Sequence, residues 1–148
     1  MQGIELSINI SAPREKVWSV ITDIENSVNT ISGIRKIEIL EKGNPFIGLK
    51  WRETREMFGK EATEVMWIHN AEENNFYNVR AESHGSRYYT DFYLKDSSEG
   101  CALTMKFTAE IESFGARLVN FLLGWMFKNA TIKALEKDLE DIKEAVEK

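Results

Sequence analysis

Glu53, Arg55 and Glu64 are three charged residues on what alternation makes a greasy wall. The segment Trp51 to Ile68 is WRETREMFGKEATEVMWI, two alternating runs around Gly59-Lys60. A Gly-X pair between such runs predicts a hairpin with a two-residue turn. With that turn Phe58 faces Glu61, Arg55 faces Glu64 and Glu53 faces Met66. Trp51, Glu53, Arg55, Met57, Ala62, Glu64, Met66 and Ile68 then share one side, the more apolar of the two. Charged groups are seldom buried there without a partner or a task. One task is to orient a ligand's carboxylate, hydroxyl or carbonyl in an apolar cavity, and the Arg55 fork suits a carboxylate. A carboxylate left without a full partner would act as a general base. Two other readings compete: an Arg55–Glu64 ion pair that only fixes the hairpin, or a register off by one that turns these charges to water.

The surrounding elements must place that wall. Ile4, Leu6, Ile8 and Ile10 alternate with polar residues and predict a strand over 3–10. Ser11-Ala12-Pro13 opens a helix, with Ser11 or Ala12 at its cap and an apolar stripe of Val17, Trp18, Val20, Ile21 and Ile24. A short second helix runs to about Ile31, and a strand through Ile34, Ile37 and Ile39 ends at the turn cluster Glu41-Lys42-Gly43-Asn44-Pro45. After the charged hairpin comes a second one, FYNVRAES and RYYTDFYL, with Gly85-Ser86 as its turn. Tyr77, Val79, Ala81, Ser83, Tyr88, Thr90, Phe92 and Leu94 share its inner face, while Arg80 sits opposite Asp91 on the wet one. Leu103, Met105, Phe107, Ala109 and Ile111 line a last strand. From about Phe114 the chain is one long helix with Leu118, Phe121, Leu122, Trp125, Asn129, Ile132, Leu135 or Glu136, Leu139, Ile142 and Val146 at helical spacing.

A strand, a helix pair, about six antiparallel strands and a long helix make an α+β domain. The sheet needs cover on one face, and only the long helix is big enough. Room between them is the expected cavity. Trp51, Met66, Tyr88, Thr90, Phe92, Met105, Phe107, Trp125 and Asn129 are its expected lining, together with Glu53, Arg55 and Glu64. Plain core packing is the competing reading for the large apolar residues.

The order of elements resembles the START-like superfamily, also called SRPBCC, which includes polyketide cyclases and Bet v 1-type proteins. The resemblance rests on INISAPREKVWSVITDIEN, on GLKWRETREMFGKEATEVMW and on EGCALTMKF, and it covers the whole chain. GLKWRETREMFGKEATE and AESHGSRYYTDF are similar to a bacterial branch of polyketide cyclase/dehydrase-like proteins. It implies a helix-grip fold, a curved antiparallel sheet wrapped around the C-terminal helix, and a hydrophobic ligand of lipid, polyketide or aromatic type. Some relatives are cyclase-, dehydratase- or isomerase-like enzymes; no catalytic motif carries over residue by residue, and fold alone grants no function.

Other chemistry is thinly represented. The chain has 148 residues, 29% of them charged, and a net charge of −5, so a single domain without a nucleic-acid-binding patch is expected. His69 and His84 suit surface or turn positions; with Cys101 they show no metal-ligand spacing, and no cofactor fingerprint is present. No apolar run reaches the roughly 20 residues of a membrane span, so no stable membrane insertion is expected. The start lacks the pattern of a signal peptide, which makes the cytoplasm the expected location. Leu123, Met126 and Phe127 lie off the helix stripe and are expected to meet the helix pair or a second copy in a homodimer.

Overall fold

The structure is a computed structural model. It describes residues 2–57, 59–83, 85–111 and 114–148, with the side chains of 3–56, 59–83, 85–110 and 128–148. In chain order the elements are β1 (Gln2–Ile10), α1 (Arg14–Ile21), a 3-10 turn (Ile24–Asn26), α2 (Ser27–Thr30), β2 (Ile34–Glu41), β3 (Lys50–Met57), β4 (Lys60–Glu72), β5 (Phe76–Ser83), β6 (Ser86–Ser97), β7 (Gly100–Ile111) and α3 (Phe114–Glu147). The strands form one antiparallel sheet in the order β1-β7-β6-β5-β4-β3-β2. The curved sheet, the long terminal helix and the short helices after β1 are the helix-grip fold that the order of elements implied.

Local chemistry explains the elements. In β1 the apolar residues pair with apolar ones in β7: Ile10 with Cys101, Ile8 with Leu103, Leu6 with Met105. These lie on one face because strand side chains alternate. Pro13 caps α1 in an extended conformation, one residue later than expected, and Val17 and Ile21 are buried beneath it. At the β6–β7 turn Gly100 has φ +139, and a Cβ there would come within 2.4 Å of the Ile10 carbonyl oxygen. Only glycine fits that turn against the end of β1.

Both sequence-derived hairpin turns are displaced by one residue. β3 pairs with β4 so that Trp51 faces Met66, Glu53 faces Glu64, Arg55 faces Ala62 and Met57 faces Lys60. The two-residue connection is therefore 58–59, not 59–60. In the second hairpin Ser83 faces Ser86, so 84–85 is the connection, not 85–86. Gly59 at φ +75 and Gly85 at φ +80 occupy the second loop position, where glycine meets no steric penalty. Moving a turn by one residue moves the pairing by two. Since strand faces alternate with period two, the described strand residues stay on their expected faces. Arg80 is thus opposite Tyr89 rather than Asp91, yet it reaches Asp91 diagonally, Nη1 to Oδ1 at 2.9 Å.

The core runs between the sheet and α3. Ile10, Val17, Ile68, Leu103 and Val146 are almost wholly buried, with Leu139 and Ile142 beside them. The end of α3 is tied to the β1–α1 turn: Lys143 Nζ donates to the Asn9 carbonyl at 2.7 Å, and Ser11 N–H donates to Glu147 at 2.8 Å.

Candidate functional site

The sheet and α3 leave a cavity of about 440 Å³ between them, within the range of small-molecule sites. Trp51, Glu53, Arg55, Glu64, Met66, Tyr88, Thr90, Phe92, Met105 and Phe107 line it, brought together from β3, β4, β6 and β7. The side chain of Trp125 lies outside the described residues, as do those of Leu118, Phe121, Leu122, Leu123, Met126 and Phe127. Asn129 is a correction: it is exposed and does not line the cavity. The inward stripe of α3 is Thr131, Ala134, Leu135, Asp138 and Ile142. Position 129 is two residues before Thr131, about 200° around the helix.

The polar groups converge on one wall. Arg55 Nη1 donates to both oxygens of Asp138, at 3.2 and 3.0 Å, and its Nε donates to Glu53 Oε2 at 3.4 Å. Trp51 Nε1 donates to the other Glu53 oxygen at 3.3 Å. Glu53 is 9% exposed and Asp138 5%. One of the competing readings paired Arg55 with Glu64. The register puts Glu64 opposite Glu53 instead, and the ion pairs of Arg55 run to its own strand neighbour and to the helix. Glu64 lines the same cavity.

Burial is the largest influence on the Asp138 carboxyl; Arg55 pulls it down and Glu53 pushes it up, and the result is about 6. Burial also acts against the charge on Arg55, but the adjacent Asp138 and Glu53 outweigh it and raise its pKa. The Tyr77 phenol is raised well above its ordinary value, by burial first and the nearby Glu53 second, and donates to the Ile21 carbonyl at 2.9 Å. It is therefore neutral and fastens α1 to the sheet.

The remaining walls are aromatic and aliphatic. Tyr77 stacks on Phe92 at 4.7 Å between centroids, and Tyr88 on Phe107 at 6.2 Å. Trp18 and Phe46 meet Tyr77 edge-on. Ile21, Ile24, Ser27, Thr30 and Ile31 close the cavity from the short helices. Neither these residues nor Asp138 were among the expected lining. Asp138 carried a readable signal: it stands three residues after Leu135 and four before Ile142, on the apolar stripe. The charged stretch of α3 hid it, because most of its neighbours do face water.

Elsewhere the chemistry is sparse. A depression of about 600 Å³ at the β1–α1 turn is open to water, and its Arg14 is held by Asp96 and Asn75. His69 is exposed, at the irregularity in β4, and His84 lies outside the described residues. Cys101 is buried and burial pushes its thiol up, away from the thiolate. Among the described residues no group of three His, Cys, Asp or Glu is placed to hold a metal ion, and no helix is long and apolar enough to cross a membrane.

The family described as polyketide cyclase/dehydrase and lipid transport matches residues 1–147. No curated protein matches. A protein of Thermus thermophilus is similar in structure, with a TM-score of 0.84, 16% identity, and 98% of this chain and 97% of that one covered. The Zhui aromatase/cyclase of Streptomyces sp. R1128 superposes with a TM-score of 0.79 at 15% identity, covering 99% and 93%. A START superfamily protein of Mycobacterium smegmatis gives 0.68 at 18% identity, covering 95% and 98%. At such identities these likenesses establish the shared fold. The family match over nearly the whole chain makes it a member of the polyketide cyclase/dehydrase and lipid-transport family.

Proposed function

We propose that this protein binds a hydrophobic small molecule of lipid, polyketide or aromatic type between the sheet and α3. The observation that carries the reading is the cavity itself: about 440 Å³, walled mainly by aromatic and aliphatic side chains, with its charged groups gathered on one wall. That division gives a ligand an apolar body to bury and a polar end to orient. Trp51, Met66, Tyr88, Thr90, Phe92, Met105 and Phe107 contact the body; Glu53, Arg55, Glu64 and Asp138 address the polar end. Native mass spectrometry of the purified protein should find a co-purified hydrophobic compound, and a neutral fluorescent probe should bind with saturation. Failure to bind any hydrophobic probe would remove this reading.

The second reading is an enzyme of cyclase, dehydratase or isomerase type that uses a cavity carboxylate as general base. Asp138 favours it, since a carboxyl near 6 takes up and gives back a proton close to neutral pH. Asp138→Asn would then keep ligand affinity and abolish turnover of a polyketide-like substrate. Under the binding-only reading the same variant has no turnover to lose.

A further inference from the structure

Resting on the reading of the cavity as a hydrophobic-ligand site, we infer that Ala81 sets the breadth of the ligand body and admits a flat, ring-bearing one. Pairing places Ala81 in a row that crosses the sheet: Trp51 faces Met66, Met66 faces Ala81, Ala81 faces Tyr88 and Tyr88 faces Ala109. All five line the cavity. Strand side chains stand roughly perpendicular to the sheet. Met66 and Tyr88 therefore rise on either side of a single methyl group, with roughly 10 Å between their Cα atoms at two strand spacings. The result is a notch one strand wide, floored by Ala81 and by Val79 two residues before it.

Ala62, Ala109 and Ala134 also line the cavity, but they sit differently. Ala62 is exposed, Ala109 has the edge strand β1 on its other side, and Ala134 stands on α3. Ala81 is 4% exposed, between two large neighbours. Such positions are ordinarily filled, because interiors pack densely and an empty apolar space forfeits dispersion contacts. Here the methyl group borders open space instead, as a ligand site requires.

The walls of the notch fit a ring better than a chain. Tyr88 is stacked with Phe107, with 6.2 Å between centroids and 19° between planes. Aromatic side chains gain from a further ring in offset or edge contact. Across the notch stands the Met66 thioether, and sulfur gains at a ring edge. A ring seated over Ala81 contacts both walls at once, whereas a slender chain spans the notch only in part. A larger side chain at position 81 would fill the floor and leave room for the chain alone.

Isothermal titration calorimetry on the purified protein tests this with two neutral probes: the ring compound N-phenylnaphthylamine and the slender chain decanol. The unaltered protein should bind the ring compound at least as tightly as the chain. Ala81→Leu should weaken the ring compound about tenfold or more and change decanol about threefold or less. The melting temperature of the free variant should hold or rise, since the added carbons enter space that already exists. Ala81→Val should act in the same direction, less strongly, and serves if the first variant folds poorly. Ala102→Leu, on the opposite face of β7 from the buried Cys101 and Leu103, should leave both affinities as they are in the unaltered protein. An unchanged ring affinity in Ala81→Leu overturns the proposal and leaves the cavity reading standing. So does equal weakening of both probes, the mark of a disturbed fold rather than a narrowed notch. Failure of both Ala81 variants to fold also overturns it, because the notch then has no free space. Binding of decanol alone by the unaltered protein does the same. If the unaltered protein binds neither probe, the cavity reading fails and the Ala81 proposal falls with it.

Discussion

Asp138 and Asp141 stand three residues apart on α3, both buried, at 5% and 8% exposure, and their carboxyls shift in opposite directions. Burial is the largest single influence on each and would raise both. Asp141 nevertheless falls below its ordinary value. Lys137 Nζ donates to its Oδ1 at 2.5 Å, and the Ser32 N–H and hydroxyl donate to its Oδ2 at 2.9 and 2.8 Å. Among the described residues Asp138 has Arg55 alone, shares it with Glu53, and rises to about 6. Donor supply, not depth, decides which acid is a structural clip and which is a poised group in the cavity wall. Asp141 pins the α2–β2 connection to the helix; Asp138 faces the ligand space.

Arg55→Met gives the largest expected effect. It leaves two acids buried without their cation, which should cost about 3–5 kcal/mol at neutral pH. Urea unfolding should show that loss shrinking towards pH 5, because Asp138 can then take a proton; an equal loss at both pH values breaks the contrast. Asp141→Ala should cost less, about 1–3 kcal/mol, through the unpaired Ser32 donors. Hydrogen exchange at the Ser32 amide should rise with it, and an unchanged amide would deny Asp141 its clip role. Ser32→Ala removes one donor and should cost about 1 kcal/mol. In a carboxyl NMR titration that variant should raise the Asp141 midpoint and leave that of Asp138 in place.

Asp138→Asn should change stability least near pH 4, where the native carboxyl already carries its proton, and its effect should grow towards neutral pH, where burial outweighs the ion pair. In the native protein the Asp138 pKa is raised from 3.8 to about 6. Its contribution is fully present below 3.8 and is lost as pH rises through about 6, a change of about 3 kcal/mol. Asp141, lowered, contributes with the opposite sign: present above its ordinary value and lost as acid protonates it. Unfolding measured between pH 4 and pH 7 should therefore flatten in Asp138→Asn. A profile that matches the unaltered protein would place the titrating group elsewhere.

The strands and their faces were legible because alternation is local. Ile4, Leu6 and Ile8 announce β1 without knowledge of β7, and the inner faces of both hairpins survive a misplaced turn. The turns themselves were less legible. Glycine was assigned to the first loop position, whereas Gly59 and Gly85 take the second, and the choice depends on how the whole strand pair settles. That one-residue difference replaced an Arg55–Glu64 pair with Glu53 opposite Glu64. Asn129 was misplaced for a related reason: a helix longer than 30 residues offers several apolar stripes, and contact with the sheet selects one.

By itself the sequence determined the order of elements, the side of each strand that turns inward, and the presence of Glu53, Arg55 and Glu64 on an apolar wall. These follow from periodicities that span a few residues. Only the tertiary structure decided that Arg55 serves Glu53 and Asp138. Arg55 and Asp138 are 83 residues apart in the chain, and no local pattern couples the rotation of α3 to the register of β3. Packing sets that coupling, because the helix buries Leu139, Ile142 and Val146 and in doing so carries Asp138 to the guanidinium.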